Sequence, residues 1–259
     1  MTLSRAELED LKAAKRLLDN PGLAARISNL VGTPIERGFA MLPKSWNQVV
    51  TDATRKSLEA ALDVAVWTMD HNQPGNPSNW WHKLAVGTTG AAGGAFGLPA
   101  LTIELPVSTT IMLRSIADIA RSEGEDLMSP EARLQCIQVL GLGGTSKSDD
   151  GADTGYFAAR AAMAKAVSDA AAYLAGQGVA QKGAPAIVRL ITQVASRFSV
   201  VVSQKAAAQA VPVVGAVGGA VINTLFIDHF QDMGKGHFIV RRLERIHGPG
   251  VIARDYREL

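Results

Sequence analysis

The chain has 259 residues, of which 47% are hydrophobic but only 5% aromatic; with its abundant alanine and glycine, this mixture suits closely packed helices and argues against a β-sandwich. Lys plus Arg (26) nearly balance Asp plus Glu (24), a net charge of +2, which leaves no electrostatic footprint for nucleic acid. The single cysteine, Cys136, excludes an internal disulfide and fits a reducing compartment.

Residues 4–19 read as an amphipathic helix. Ser4 and Glu7 have capping-box spacing, and Leu8, Leu11, Ala14 and Leu18 share one face. This opening is charged and has no apolar run, so no secretory signal is expected. Asn20-Pro21-Gly22 ends the helix. Leu23, Ile27, Leu30 and Val31 predict a second helix that stops at Gly32, and Thr33-Pro34-Ile35-Glu36 looks like a new N-terminus with a proline at its first position. Residues 45–69 place Leu58, Ala61, Leu62, Ala65 and Met69 on one buried face. His71 to Asn79 is turn-forming. Trp80 and Trp81 follow, either at a membrane interface or as core at the head of a buried helix.

From Leu84 to Ile103 there is no charge, and glycines recur at helical spacing. Gly90-x-x-x-Gly94 and Gly93-x-x-x-Gly97 allow helices to approach backbone to backbone. A break is expected at Gly97-Leu98-Pro99, then a helix to about Glu123. Ser129-Pro130-Glu131 caps a short helix bearing Leu134, Ile137 and Leu140. Gly141 to Gly155 reads as a loop. Helices follow from Tyr156 to about Leu174 and from Pro185 to about Ala210. A second apolar stretch, Ala206 to Ile227, contains Pro212 and Gly215-x-x-x-Gly219. A last helix is expected from Lys235 to Ile246, closed by Gly248-Pro249-Gly250. No segment alternates as a strand would, so the expected fold is all-α, one domain of nine to eleven helices around two glycine-rich apolar hairpins. Both apolar stretches have the length of a membrane span but are diluted by glycine, proline and polar residues, so a buried core and shallow insertion both remain open.

Few residues suggest chemistry. Glu104, Arg114 and Asp118 are single charges among apolar neighbours. Arg114 and Asp118 are four apart and can pair, with Glu104 on the same face. Buried charges need partners, so these residues are either a structural ion pair or polar anchors in an apolar pocket. Asn223 is a similar polar residue in the second stretch. Asp228, His229 and Asp232 make a weak metal hint against a solvated face; the His spacings match no zinc motif and Asp149 to Asp153 fits calcium poorly. No metal or cofactor is therefore expected. Cys136 sits among Leu134, Ile137 and Leu140 and reads as a packed thiol.

The run GAAGGAFGLPALTIELPVSTTIMLRSIADIARSEGED resembles the central signature of the EcsC protein family: glycines from Gly90 to Gly97, Leu98-Pro99, Glu104 where the family more often has aspartate, Arg114, and Gly124-Glu125-Asp126. Pro212, Val213, Gly215, Gly219 and Asn223 resemble its second. The resemblance spans residues 45–247. It implies an α-helical domain there; the residues themselves add amphipathic helices over 1–44 before it and a polar tail over 248–259 after it. The family is named for a chain associated with an ABC-transport system, which implies a membrane-proximal role. The expectation is a non-enzymatic, cytoplasmic protein, peripheral on the inner face of the cell membrane. Gly90, Gly94, Gly97, Pro99, Gly215 and Gly219 would pack helices, and Arg241, Arg242 and Arg245 would face anionic head groups. A membrane lipid, a membrane protein or a second copy of the chain would be the partner, with no nucleic acid. The competing expectations are a soluble hydrolase gated by the loop from Gly141 to Gly155, using Ser146 or Ser148 with a histidine, and a partner-binding helical scaffold.

Overall fold

Ser4 opens the first helix as its spacing predicts. Its side chain accepts from the Glu7 N–H, and the Glu7 carboxylate accepts from the Ser4 N–H. In the computed structural model, which describes residues 3–19, 22–32, 34–65, 97–143, 155–177, 183–211 and 219–259, ten helices and no strand occur among the described residues. They are α1 (Arg5–Leu18), α2 (Leu23–Val31), α3 (Ile35–Met41), α4 (Trp46–Asp63), α5 (Gly97–Ser122), α6 (Pro130–Leu142), α7 (Gly155–Gln177), α8 (Pro185–Ala210), α9 (Gly219–His247) and α10 (Pro249–Glu258).

The fold is all-α. Its most enclosed element is α6, a short helix with Ala132 and every residue from Leu134 to Leu142 buried. The short helix expected to bear Leu134, Ile137 and Leu140 is buried well beyond those three residues: α7 and α8 cover its flanks, with α5 and α9 beside them. A helix covered on all sides needs apolar residues all round; of its two glutamines, Gln135 bonds His237, and Gln138 donates its amide to the Arg160 carbonyl while its own side-chain oxygen is buried without a partner.

Helices α5 and α9 run parallel. Glu104 and Asn223 meet the same lysine, the Gln231 amide donates to the Ser115 hydroxyl at 2.8 Å, Gly234 faces Ile116, and Arg242 bonds Glu123 at 2.7 Å. The paired stretch is about 28 Å long at 1.5 Å per residue. α8 runs antiparallel to α9: Lys205 lies level with Asn223, and Phe198 stacks edge-on against Phe230 at 5.3 Å.

Helix α9 is one continuous element, so the expected separate helix starting at Lys235 is a correction. Gly234 and Gly236 do not break it; they let neighbours come close. A Cβ at Gly236 would lie 2.7 Å from Leu18 Cγ and 3.1 Å from the Ala14 carbonyl, so α1 lies directly on the α9 backbone. The polar tail over 248–259 is also corrected. Pro249 starts α10, which buries Ile252 and Tyr256 four residues apart; Lys15 of α1 donates to the Tyr256 carbonyl, and the Tyr256 hydroxyl donates to Asp19, which caps α1.

Gly124 shows why a glycine ends α5. Its φ is 79°, a conformation that costs L-residues with a Cβ. The Glu125 N–H reaches the Ala120 carbonyl and the Gly124 N–H reaches that of Arg121, a Schellman closure. The closure presents Glu125 to α9.

Candidate functional site

Lys205 is fully buried in the last turns of α8. Its ammonium donates to Glu104 Oε1 on α5 at 2.6 Å and to Asn223 Oδ1 on α9 at 2.8 Å, and it lies 4.4 Å from the centroid of the Phe226 ring. Three N–H bonds thus meet a carboxylate, an amide oxygen and a π face, which accounts for all the donors of an ammonium. Burial lowers the Lys205 pKa from its ordinary value, and the neighbouring Glu104 carboxylate opposes that shift. Only about a fifth of the Glu104 side chain is exposed. The cluster ties together the start of α5, the end of α8 and the start of α9. By connectivity it therefore stands at the body end to which the sequences 84–96 and 212–218 attach.

Two of the expected anchors, Glu104 and Asn223, are brought together here. Arg114 and Asp118 are not, which corrects their placement in an apolar core. Met112, Leu113, Ile116, Ala117 and Ala120 take the inner face of α5, so Arg114 and Asp118 fall on its exposed face, and Asp118 bonds Arg121 at 2.7 Å. Lys205 is not among the candidates that the sequence suggests. The signal was there: it is the only charge between Arg197 and Asp228, the same criterion that picked out Glu104.

Arg241, Arg242 and Arg245 are held by carboxylates of the protein itself, a correction to the expected membrane-facing row. Arg241 forks onto Glu125 at 2.8 and 3.2 Å, Arg245 also bonds Glu125, and Arg242 bridges Glu123 at 2.7 Å and Asp10 at 2.8 Å. Their i, i+1 and i+4 spacing along α9 aims them at the turn after α5 and at α1, so this basic run joins helices. Of the expected packing residues, Gly97 and Pro99 lie in the first turn of α5 and Gly219 opens α9. Gly90, Gly94, Gly215, Trp80, Trp81, Ser146 and Ser148 lie outside the described residues.

A second polar group lies inside the body. His237 Nε2 faces the Gln135 carbonyl oxygen at 3.1 Å, which can only accept, so Nε2 carries the proton. Nδ1 then accepts from the Tyr156 hydroxyl at 2.9 Å, and that oxygen accepts from Arg160, which forks onto Glu244 at 2.8 and 2.6 Å. Burial holds His237 well below its usual pKa and pushes the Tyr156 phenol up to about 12. The Gln138 amide donates to the Arg160 carbonyl.

The residues of the metal hint diverge: Asp228 is exposed, Asp232 pairs with Arg26 at 2.8 Å, and buried His229 donates Nε2–H to the Gly143 carbonyl at 3.0 Å. Among the described residues no cluster of three metal-ligating side chains occurs. Cys136 is the packed thiol its neighbours predicted: it is fully buried, and burial pushes its pKa up to about 12. Among the described residues, one helix, Pro185–Ala210 (α8), is long and apolar enough to cross a membrane. Its apolar stretch of 18 residues has a mean hydropathy of 1.4, and a third of that stretch is buried in the protein.

These features define an all-α protein whose helices are locked by buried ionic and polar clusters. The chain matches the model of the EcsC protein family over residues 5–243 and belongs to that family. The match starts with α1, so the N-terminal helices lie within the family's span and do not precede it. No curated protein and no solved structure matches the chain.

Proposed function

We propose that this EcsC-family chain is a non-enzymatic helical protein that binds lipid at the cytoplasmic face of a membrane, as an accessory to a membrane system such as a transporter. The observation that carries the reading is the Lys205–Glu104–Asn223 cluster. It fixes three chain ends at one end of the body, and the sequences attached to them, 84–96 and 212–218, carry no charge at all. A buried ion pair contributes little net stability compared with apolar packing and is best attested as a device for fixing register. Here it fixes the helix ends to which the uncharged, glycine-rich sequences are joined. Such sequence has no charge to desolvate on meeting a bilayer, while Lys205 and the arginines near the end of α9 are held in pairs within the body.

Flotation of the purified full chain with vesicles of phosphatidylcholine alone, and with added phosphatidylglycerol, tests this reading. The chain is expected to rise with vesicles of at least one composition, and native mass spectrometry is expected to find a lipid adduct. A chain that stays at the bottom of the gradient with both compositions, and carries no lipid, refutes it.

A further inference from the structure

The corner between α3 and α4 lies at the same end of the body. Gly38 of α3 is pressed against the backbone of Ala207, two residues beyond Lys205. One turn later α3 ends at Met41, whose side chain is 51% exposed. Leu42 to Ser45 make the turn, and half-buried Trp46 starts α4 with its ring 5.7 Å from that of Phe39. Between Arg37 and Asp52 the only charge is Lys44, which is exposed. On the two helices that bond Lys205, Ile103 is 72% and Val221 41% exposed. Exposed large apolar side chains thus recur on three helices around this end.

We propose that the α3–α4 corner, Phe39 to Trp46, is the foot on which the body rests in the interfacial layer of an anionic lipid bilayer. This rests on the membrane reading above and names the surface and the lipid charge involved. Three features fit a bilayer. Indole rings favour the boundary between head groups and acyl chains, where one edge is apolar and the other wet. Met41 offers a flexible, exposed apolar side chain on the same corner. Lys44 is a single cation with no acidic residue between Gly38 and Thr51, so its charge complements an anionic surface. The corner also adjoins the end of the body to which the uncharged stretches attach, so one orientation would serve both contacts.

The test uses the full chain with Trp46 as its sole tryptophan (Trp67→Phe, Trp80→Phe, Trp81→Phe) and vesicles of phosphatidylcholine and phosphatidylglycerol, with and without brominated acyl chains. Trp46 emission is expected to shift to the blue on vesicle addition and to be quenched by the brominated lipid. In the otherwise natural chain, Met41→Asp is expected to weaken vesicle binding on the order of tenfold, and Lys44→Glu to weaken it on anionic vesicles only. Met41 and Lys44 are exposed, so circular dichroism should be unchanged. If the triple variant fails to fold, the two single variants decide. A chain that floats while Trp46 emission stays unmoved and unquenched, or while Met41→Asp and Lys44→Glu bind as the natural chain does, overturns the corner and leaves membrane binding standing. A natural chain that does not float overturns both.

Discussion

Glu104→Ala removes one half of a buried ion pair and leaves the other half in place. Lys205 is fully buried, and after the change its ammonium keeps only Asn223 Oδ1 and the Phe226 face. Truncating one partner of a buried pair costs about 3–5 kcal/mol, because the remaining charge is uncompensated. About a fifth of the Glu104 side chain is exposed, which lets water approach its place and points to the lower end, about 3 kcal/mol. For a chain of this size that corresponds to a fall in Tm of about 6–12 °C. Lys205→Met should behave differently. It removes the buried charge, keeps most of the stem against Phe226, and leaves a carboxylate that can reach water, so it should cost no more than about 1 kcal/mol. The double variant should resemble Lys205→Met, giving a coupling of about 2–3 kcal/mol in a double-mutant cycle. Urea denaturation followed by circular dichroism and fluorescence measures all four proteins. The cost of Glu104→Ala should also shrink as pH rises toward 10.5. The folded-state pKa of Lys205 is lowered, so the unfolded chain binds more protons through that window and stability increases with pH. If Glu104→Ala costs about 0.5 kcal/mol or less, as an ordinary surface change does, or if Lys205→Met is the more damaging variant, the cluster is not a buried, charged lock.

Gly236→Ala should cost about 1–3 kcal/mol, because its Cβ would meet Leu18 and force α1 off α9; Gly176→Ala, with nothing within 4 Å, should be neutral or stabilising, and equal Tm values for the two would refute the close approach. Tyr156→Phe leaves His237 Nδ1 buried without a donor and should cost about 1–3 kcal/mol in urea denaturation, with no cost counting against the hydroxyl-to-imidazole bond. His237 and His229 are both held below their usual pKa by burial, so below pH 6.5 the unfolded chain takes protons that the folded chain refuses. Stability should therefore fall by up to about 1.4 kcal/mol per pH unit for each histidine, and a urea midpoint that does not move between pH 7.5 and 5.5 would contradict this. Cys136 should react with a thiol reagent only at the rate of unfolding; rapid labelling of native protein would place it at the surface.

Local signals carried well from sequence to structure where a few neighbouring residues decide the outcome. The Ser4–Glu7 box, the stop at Gly32, the proline start at Pro130 and the inner face of Leu58, Ala61, Leu62 and Ala65 all follow from spacings of three or four. What was not legible depends on partners distant in sequence. The expected start at Lys235 falls between Gly234 and Gly236, and only with α5 and α1 placed against these two glycines do they read as points of close approach within one helix. Residues 248–259 look like a polar tail because Ile252 and Tyr256 are too few to mark an apolar face without Asp19 and Lys15 across from them. Arg241, Arg242 and Arg245 read as a basic surface because their carboxylates sit more than a hundred residues away.

The parallel course of α5 and α9 explains why the polar clusters fall where they do. Parallel helices joined by a long crossover carry like ends at the same level, so their macrodipoles align unfavourably and gain nothing from each other. At the upper end the α5 closure delivers Glu125 and Glu123, and Arg241, Arg242 and Arg245 in the last turns of α9 answer them. That places cations at a helix C-terminus, the favourable sense. At the lower end both N-termini come together, where carboxylate is favoured, and Glu104 stands two turns into α5. Antiparallel α8 brings its C-terminal turns to the same level, where a cation is favoured, and that cation is Lys205. Glu104 and Lys205 thus carry the signs that the nearby helix ends favour, although each lies beyond the terminal turn where that effect is strongest, whereas Glu123 and Glu125 stand against the polarity of the α5 C-terminus and are held there by the three arginines.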